Sequence, residues 1–149
     1  MTLKKKVHTY YLQLVNDKIG LLELVLADLK ESGTNETKST AGDKHETALA
    51  MLQIEQANTR TQLQAAYSQR NILGKINPAA SASIVVKGSL IKTNVGLLFL
   101  SVALGKAMID DRAVIALSPQ SPLGGQLMGL GVGNIAVVNN NSYVIESIE

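Results

Sequence analysis

The sequence predicts an α+β protein, an antiparallel coiled-coil helical hairpin over residues 1–77 followed by a small antiparallel β-sheet domain with one short helix over 78–149. Two observations predict it. Apolar residues recur three and four apart on both sides of one polar interruption, Ser32 to Gly42. Beyond Pro78 the rhythm changes to short β-branched runs separated by turn signals.

From Leu3 to about Glu31 there is no proline and a single glycine, and apolar positions fall at Val7, Tyr11, Leu14, Leu21, Val25 and Leu29. This is a heptad-type seam in which Lys18 is the one polar member. From Asp43 to Leu73 a weaker pattern runs through Ala48, Met51 or Leu52, Ile54, Ala57, Thr59, Leu63, Ala66 and Leu73, among good helix formers. Helices of roughly 30 residues reach about 45 Å at ~1.5 Å per residue. Neither hides its stripe alone, so the two are expected to pair antiparallel, with a homodimeric coiled coil as the alternative. The polar stretch between them consists of residues that bond their own backbone and break helices. A tip over about residues 32–46, at the end of such a rod, is placed for probing a partner.

Gly74, Asn77 and Pro78 end the second helix, and Ala79 to Ser83 read as a linker. Strand-like runs then follow at Ser83–Val86, Ser89–Thr93, Gly96–Leu104, Ala107–Ile109, Arg112–Ser118, Asn134–Val138 and Tyr143–Ile148. Lys87-Gly88, Thr93-Asn94, Asp110-Asp111 and Asn139-Asn140-Asn141-Ser142 punctuate them. Only Pro122 to Met128 reads as a helix, with Ser121 as N-cap and Gly129 past its end. About five antiparallel strands with one helix are expected.

Composition excludes several classes. With 46% hydrophobic and 17% charged residues the chain is not wholly disordered. Its five aromatics (Tyr10, Tyr11, Tyr67, Phe99, Tyr143) leave little for base stacking. There is no cysteine, which removes disulfides and thiolate chemistry and fits a reducing cytoplasm. Lys4-Lys5-Lys6 is followed by Gln13, Asn16, Asp17 and Lys18, so neither a signal peptide nor a membrane span is expected. The net charge is +2, with ten Lys/Arg against eight Asp/Glu in residues 1–77 and four against four in 78–149. Neither half is basic enough for duplex binding.

Two stretches go further. Gly42-Asp43-Lys44-His45-Glu46-Thr47-Ala48 resembles the Gly-Asp-x-x-Glu-Asn-Ala segment at the coiled-coil tip of the Gre transcript-cleavage factors of bacterial RNA polymerase. Ser121-Pro122-Leu123-Gly124-Gly125-Gln126-Leu127-Met128-Gly129, with Val132-Gly133 and the closing Tyr143-Val144-Ile145-Glu146-Ser147-Ile148, resembles the carboxy-terminal domain of that family, which is FKBP-like. Two departures stand out: extra residues, Thr34 to Thr40, before the acidic pair, and Thr47 in place of Asn.

The resemblance implies a monomeric cytoplasmic elongation factor that binds RNA polymerase through its secondary channel and touches nascent RNA indirectly. It implies that Asp43 and Glu46 serve as ligands for Mg²⁺ shared with the polymerase active site, supported at the tip by Thr47 and His45. The chain then binds no cofactor alone and is no enzyme itself, at most an activator of the polymerase's own nuclease. Two-metal hydrolysis needs hard oxygen ligands, which carboxylates supply.

The same acids have a plainer reading. Asp43 followed by Glu46 has capping-box spacing, and both charges suit a helix N-terminus. His45 and His8 are read as solvated imidazoles or, less economically, as functional ones. Lys4-Lys5-Lys6 reads as a solubilising tail or as a contact to an acidic surface. The glycines from Gly124 to Gly133 lack the Lys-Ser/Thr of a phosphate loop. Three other functions compete: a channel binder without cleavage, a structural adaptor, and a prolyl isomerase. Having only Phe99 and Tyr143 as aromatics in the sheet domain argues against the last.

Overall fold

The structure is a computed structural model that describes residues 1–37 and 43–149, with side chains over 1–34 and 46–149. Helix α1 spans Leu3–Thr37 and helix α2 spans Asp43–Gly74. Thr2 caps α1, its hydroxyl accepting from the Lys5 amide at 3.2 Å. The helices run antiparallel: Gln56 Nε2 donates to Leu29 O at 3.2 Å, and His8 Nε2 lies 2.7 Å from Leu73 O. By packing the chain forms two compact units. Leu14–Arg70 is the body of the hairpin, while Met1–Gln13 joins Asn71–Glu149.

In the hairpin body the seam differs from the expected one. Val15 and Ile19 are buried with Thr59, Leu63 and Ala66, and Leu22, Leu26, Leu29 and Leu52 are half-buried. Leu14, Lys18, Leu21 and Val25 face solvent, Leu21 with 63% of its surface exposed, and so do Met51, Ile54 and Ala57 of α2. Adjacent stripes lie about 100° apart on a helix of 3.6 residues per turn, and α1 carries two of them. Pairing on the Val15–Ile19 stripe keeps the Lys18 ammonium in water, whereas the other would bury it unpaired. Thr59 is tolerated in the seam because its hydroxyl donates to Glu55 O, one turn back, at 2.8 Å. Ile19→Ala is therefore expected to cost about 2 kcal/mol. Leu21→Ala should change stability by under about 0.5 kcal/mol, both read by urea unfolding.

The expected polar turn is shorter than Ser32 to Gly42, because α1 continues through Ser32 to Thr37. Thr34 shows how: its hydroxyl donates to Lys30 O at 3.1 Å, so a helix-indifferent residue stays within the helix. Lys38 to Gly42 lie outside the described residues.

The other unit is a six-stranded sheet: β1 Leu90–Thr93, β2 Leu97–Leu100, β3 Gly105–Ile109, β4 Arg112–Leu117, β5 Ile135–Val138 and β6 Asn141–Ile148, in the order β3-β4-β2-β1-β6-β5. The sheet is mostly antiparallel, as expected, with six strands where about five were expected and one parallel pairing. β2 and β4 are parallel, Leu97 beside Val114 through Leu100 beside Leu117. The strand expected to run to Leu104 stops at Leu100, and the chain then steps over one strand position so that β4 returns into the gap. The expected Ser83–Val86 strand is reduced to a bridge between Ile84 and Gly131.

The tight turns follow the sequence. Asp110 and Asp111 (φ 51° and 60°) join β3 to β4, and Asn139 and Asn140 (φ 52° and 67°) join β5 to β6. Two-residue hairpin loops of this twist need positive φ at both positions, which Asn and Asp tolerate.

Helix α3, Pro122–Leu127, lies on one face of the sheet. Leu127 is fully buried there with Val85, Ile91, Leu100 and Ile145. Ser121 caps it, accepting from the Gly124 amide at 3.0 Å and donating to Ser118 O at 2.6 Å. On the opposite face Phe99 stacks on Tyr11 of α1, ring centroids 6.1 Å apart.

Candidate functional site

The acidic segment starts α2. Asp43 is its first residue, which places Glu46 one turn in, at the end where the helix dipole is positive. Glu46 and Thr47 are exposed. The side chains of Asp43 and His45 lie outside the described residues, and with them the expected capping contact of Asp43. Glu46 is thus the described carboxylate of the pair, long enough to project beyond the backbone amides that an N-cap acid serves. No three His, Asp or Glu side chains group to hold a metal among the described residues.

The basic amino terminus is neither a loose tail nor a surface patch. Lys4 is buried, and its ammonium donates to Ala80 O at 2.6 Å. Burial pulls its pKa below the usual lysine range, partly opposed by the Glu149 carboxylate. Lys6 pairs with Asp110 at 2.5 Å. Both lysines fasten the start of α1 to the sheet unit. His8 is a helix–helix tie: a carbonyl only accepts, so Nε2 carries the proton that meets Leu73 O.

A feature that periodicity did not single out lies on the α3 face. Between α3 and strands β2 and β4 is a cavity of about 520 Å³, lined chiefly by Leu98, Ile115, Leu123, Pro122 and Tyr143, with Lys106 on its wall. That volume is within the ~300–1,000 Å³ range of small-molecule pockets. α3 covers only part of the sheet face, so Ile115 stays 43% exposed while Leu100 on the neighbouring strand is fully buried. The alternation Lys106-Ala107-Met108-Ile109 was the available signal. It places Lys106 and Met108 on the open side and buries Ala107 and Ile109.

No family model matches the chain, and no curated protein matches it. Among solved structures, the crystal structure of the GreA factor homolog 1 (Gfh1) protein of Thermus thermophilus superposes loosely. Its TM-score is 0.34 at 14% identity, covering 97% of this chain and 93% of that one. No helix among the described residues is long and apolar enough to cross a membrane.

Proposed function

We propose that this chain is a Gre-type elongation factor that binds RNA polymerase by inserting its hairpin into the secondary channel, with Glu46, and Asp43 beside it, presented to the polymerase active centre. The observation that carries this reading is the placement of the Gre-like acidic segment at the start of α2 in an antiparallel hairpin, with Glu46 exposed. The Gre-like Ser121-Pro122 segment supports it by forming the short helix α3 on the sheet.

The chain supplies ligands and the polymerase supplies the site. A Mg²⁺ shared with the polymerase active site would supply the Lewis acidity that phosphodiester hydrolysis needs. Glu46 and Asp43 would hold that ion through hard carboxylate oxygens. His45 and Thr47 flank Glu46 in sequence and are the supporting residues of this reading. On this reading the chain alone has no nuclease activity, acts as a monomer in the cytoplasm, and meets nascent RNA only inside the complex.

The test is cleavage of backtracked RNA in stalled elongation complexes. Stimulation by the parent protein is expected, and Glu46→Ala should reduce it at least ten-fold, with Asp43→Ala reducing it less. Circular dichroism should show unchanged helicity in both variants, which separates ligand loss from cap loss. Binding to polymerase without any stimulation would leave a channel-binding inhibitor, and no binding would sink the reading altogether.

A further inference from the structure

Strand β3 is an edge of the sheet, and its pairing shows where its outer backbone groups point. The two-residue Asp110-Asp111 loop makes Ile109 and Arg112 a hydrogen-bonded pair. In an antiparallel ladder such pairs alternate, so Ala107 with Val114 is the next one. Lys106 and Met108 therefore aim their N–H and C=O groups away from β4, to the side where the sheet has no further strand.

The side chains of the same two residues lie on the α3 face, since Lys106 is paired with Ile115 and Met108 with Ala113, both of β4. Ile115 and Ala113 line the apolar cavity, and Lys106 is the one charged residue on its wall. The Lys106 side chain makes no hydrogen bond or ion pair among the described residues, and Met108 is 62% exposed. An unpaired edge, an open apolar groove and a single unpaired cation thus converge on one place.

We propose that the β3 edge binds an extended peptide segment, added to the sheet beside β3, that carries an acidic and an apolar residue two positions apart on its groove face. The reading is independent of the polymerase proposal. Strand addition satisfies the outward backbone groups of Lys106 and Met108. Side chains of the added strand alternate between faces, so those on the groove face lie opposite Lys106 and Met108. The chemistry matches a carboxylate at the first and an aliphatic chain, two residues away, at the second. A second copy of this chain fits less well, because an edge lysine opposes self-pairing by bringing two ammonium groups together. A compact apolar molecule would fill the cavity but leave the backbone groups unmatched.

The test is an NMR titration of the full chain with a blocked seven-residue peptide in which threonine alternates with valine and glutamate, beside the same peptide with lysine for glutamate. The acidic peptide is expected to bind at least ten-fold more tightly and to shift the amides of Lys106 and Met108 together with the Ile115 methyls. Lys106→Glu should reverse the preference. Met108→Pro, which deletes an outward N–H on an edge strand where proline is tolerated, should weaken binding at least five-fold. Equal affinity for the two peptides, shifts confined to the cavity without a response from the β3 amides, or no binding at millimolar peptide would each overturn the proposal.

Discussion

Replacing Gly124 by alanine is expected to lower the stability of the sheet unit by about 3 kcal/mol, the upper end for overpacking a tight site. An added Cβ would stand 2.0 Å from Ser118 O and 2.9 Å from both the Ser118 carbonyl carbon and Ser121 Oγ. These are the atoms of the cap itself. Ser118 O receives the Ser121 hydroxyl, and Ser121 Oγ receives the Gly124 amide. Backbone cannot rotate aside as a side chain does, so the clash has to break the cap, and Leu127 leaves the core with the helix. Gly125→Ala is the control. Its Cβ would meet only Pro119 O at 3.6 Å, an ordinary contact. Alanine is preferred over glycine in helices by up to ~1 kcal/mol, so that variant should be neutral or slightly more stable. Thermal unfolding of the two variants side by side decides the matter.

Truncating Tyr11 to alanine is expected to cost about 4 kcal/mol, because the ring is fully buried and leaves a cavity that rigid sheet backbone cannot fill. The ring stacks on Phe99 and meets Tyr10 edge-on at 5.2 Å between centroids. Its hydroxyl lies 2.9 Å from Gly105 O and 3.2 Å from Val114 O, a single proton facing two carbonyls. Tyr11→Phe keeps the packing and removes that donor, at about 1–2 kcal/mol.

The same residue gives the protein an alkaline limit. Burial is the main reason that the Tyr11 phenol is raised from about 10 to about 12, with the neighbouring Tyr10 adding to it and a backbone hydrogen bond from the Ala116 amide opposing it. The unfolded chain releases this proton near pH 10 and the folded chain holds it to about pH 12. The stabilisation is therefore complete below pH 10 and is lost as pH rises through 12. Urea unfolding at pH 8, 10 and 12 should show the stability gap between the parent and Tyr11→Phe narrowing by more than about 1 kcal/mol, since phenylalanine has nothing to titrate. A gap that stays constant across that range would contradict the assignment.

The start of α2 at Asp43, the Ser121 cap and the hairpin loops were legible because each depends on residues close in the chain. A cap needs an oxygen beside free amides, and a two-residue loop needs positive φ where Asn or Asp stands. For the same reason the sequence could announce Glu46 as a candidate ligand while leaving its role open, since capping and metal presentation ask for the same residue at the same place.

The seam, the strand order and the groove depend on neighbours far away in sequence. Leu14 and Val15 satisfy a three-four spacing equally well, and only the pairing with α2 selects Val15, with Lys18 kept in water. Alternation along β2 and β4 is indifferent to whether the neighbouring strand runs parallel or antiparallel, because side chains alternate in both. Lys4 and Lys6 read as a tail until folding brings Ala80 and Asp110 to them. The exposed groove beside Lys106 exists because α3 covers only part of a sheet face. By itself the sequence determined the helices, most of the strands, the Ser121 cap and the two-residue hairpin loops, whose physics is local. Only the tertiary structure decided which apolar stripe is buried, which strand is an edge and which surface stays open, since burial belongs to the assembled chain and not to any residue within it.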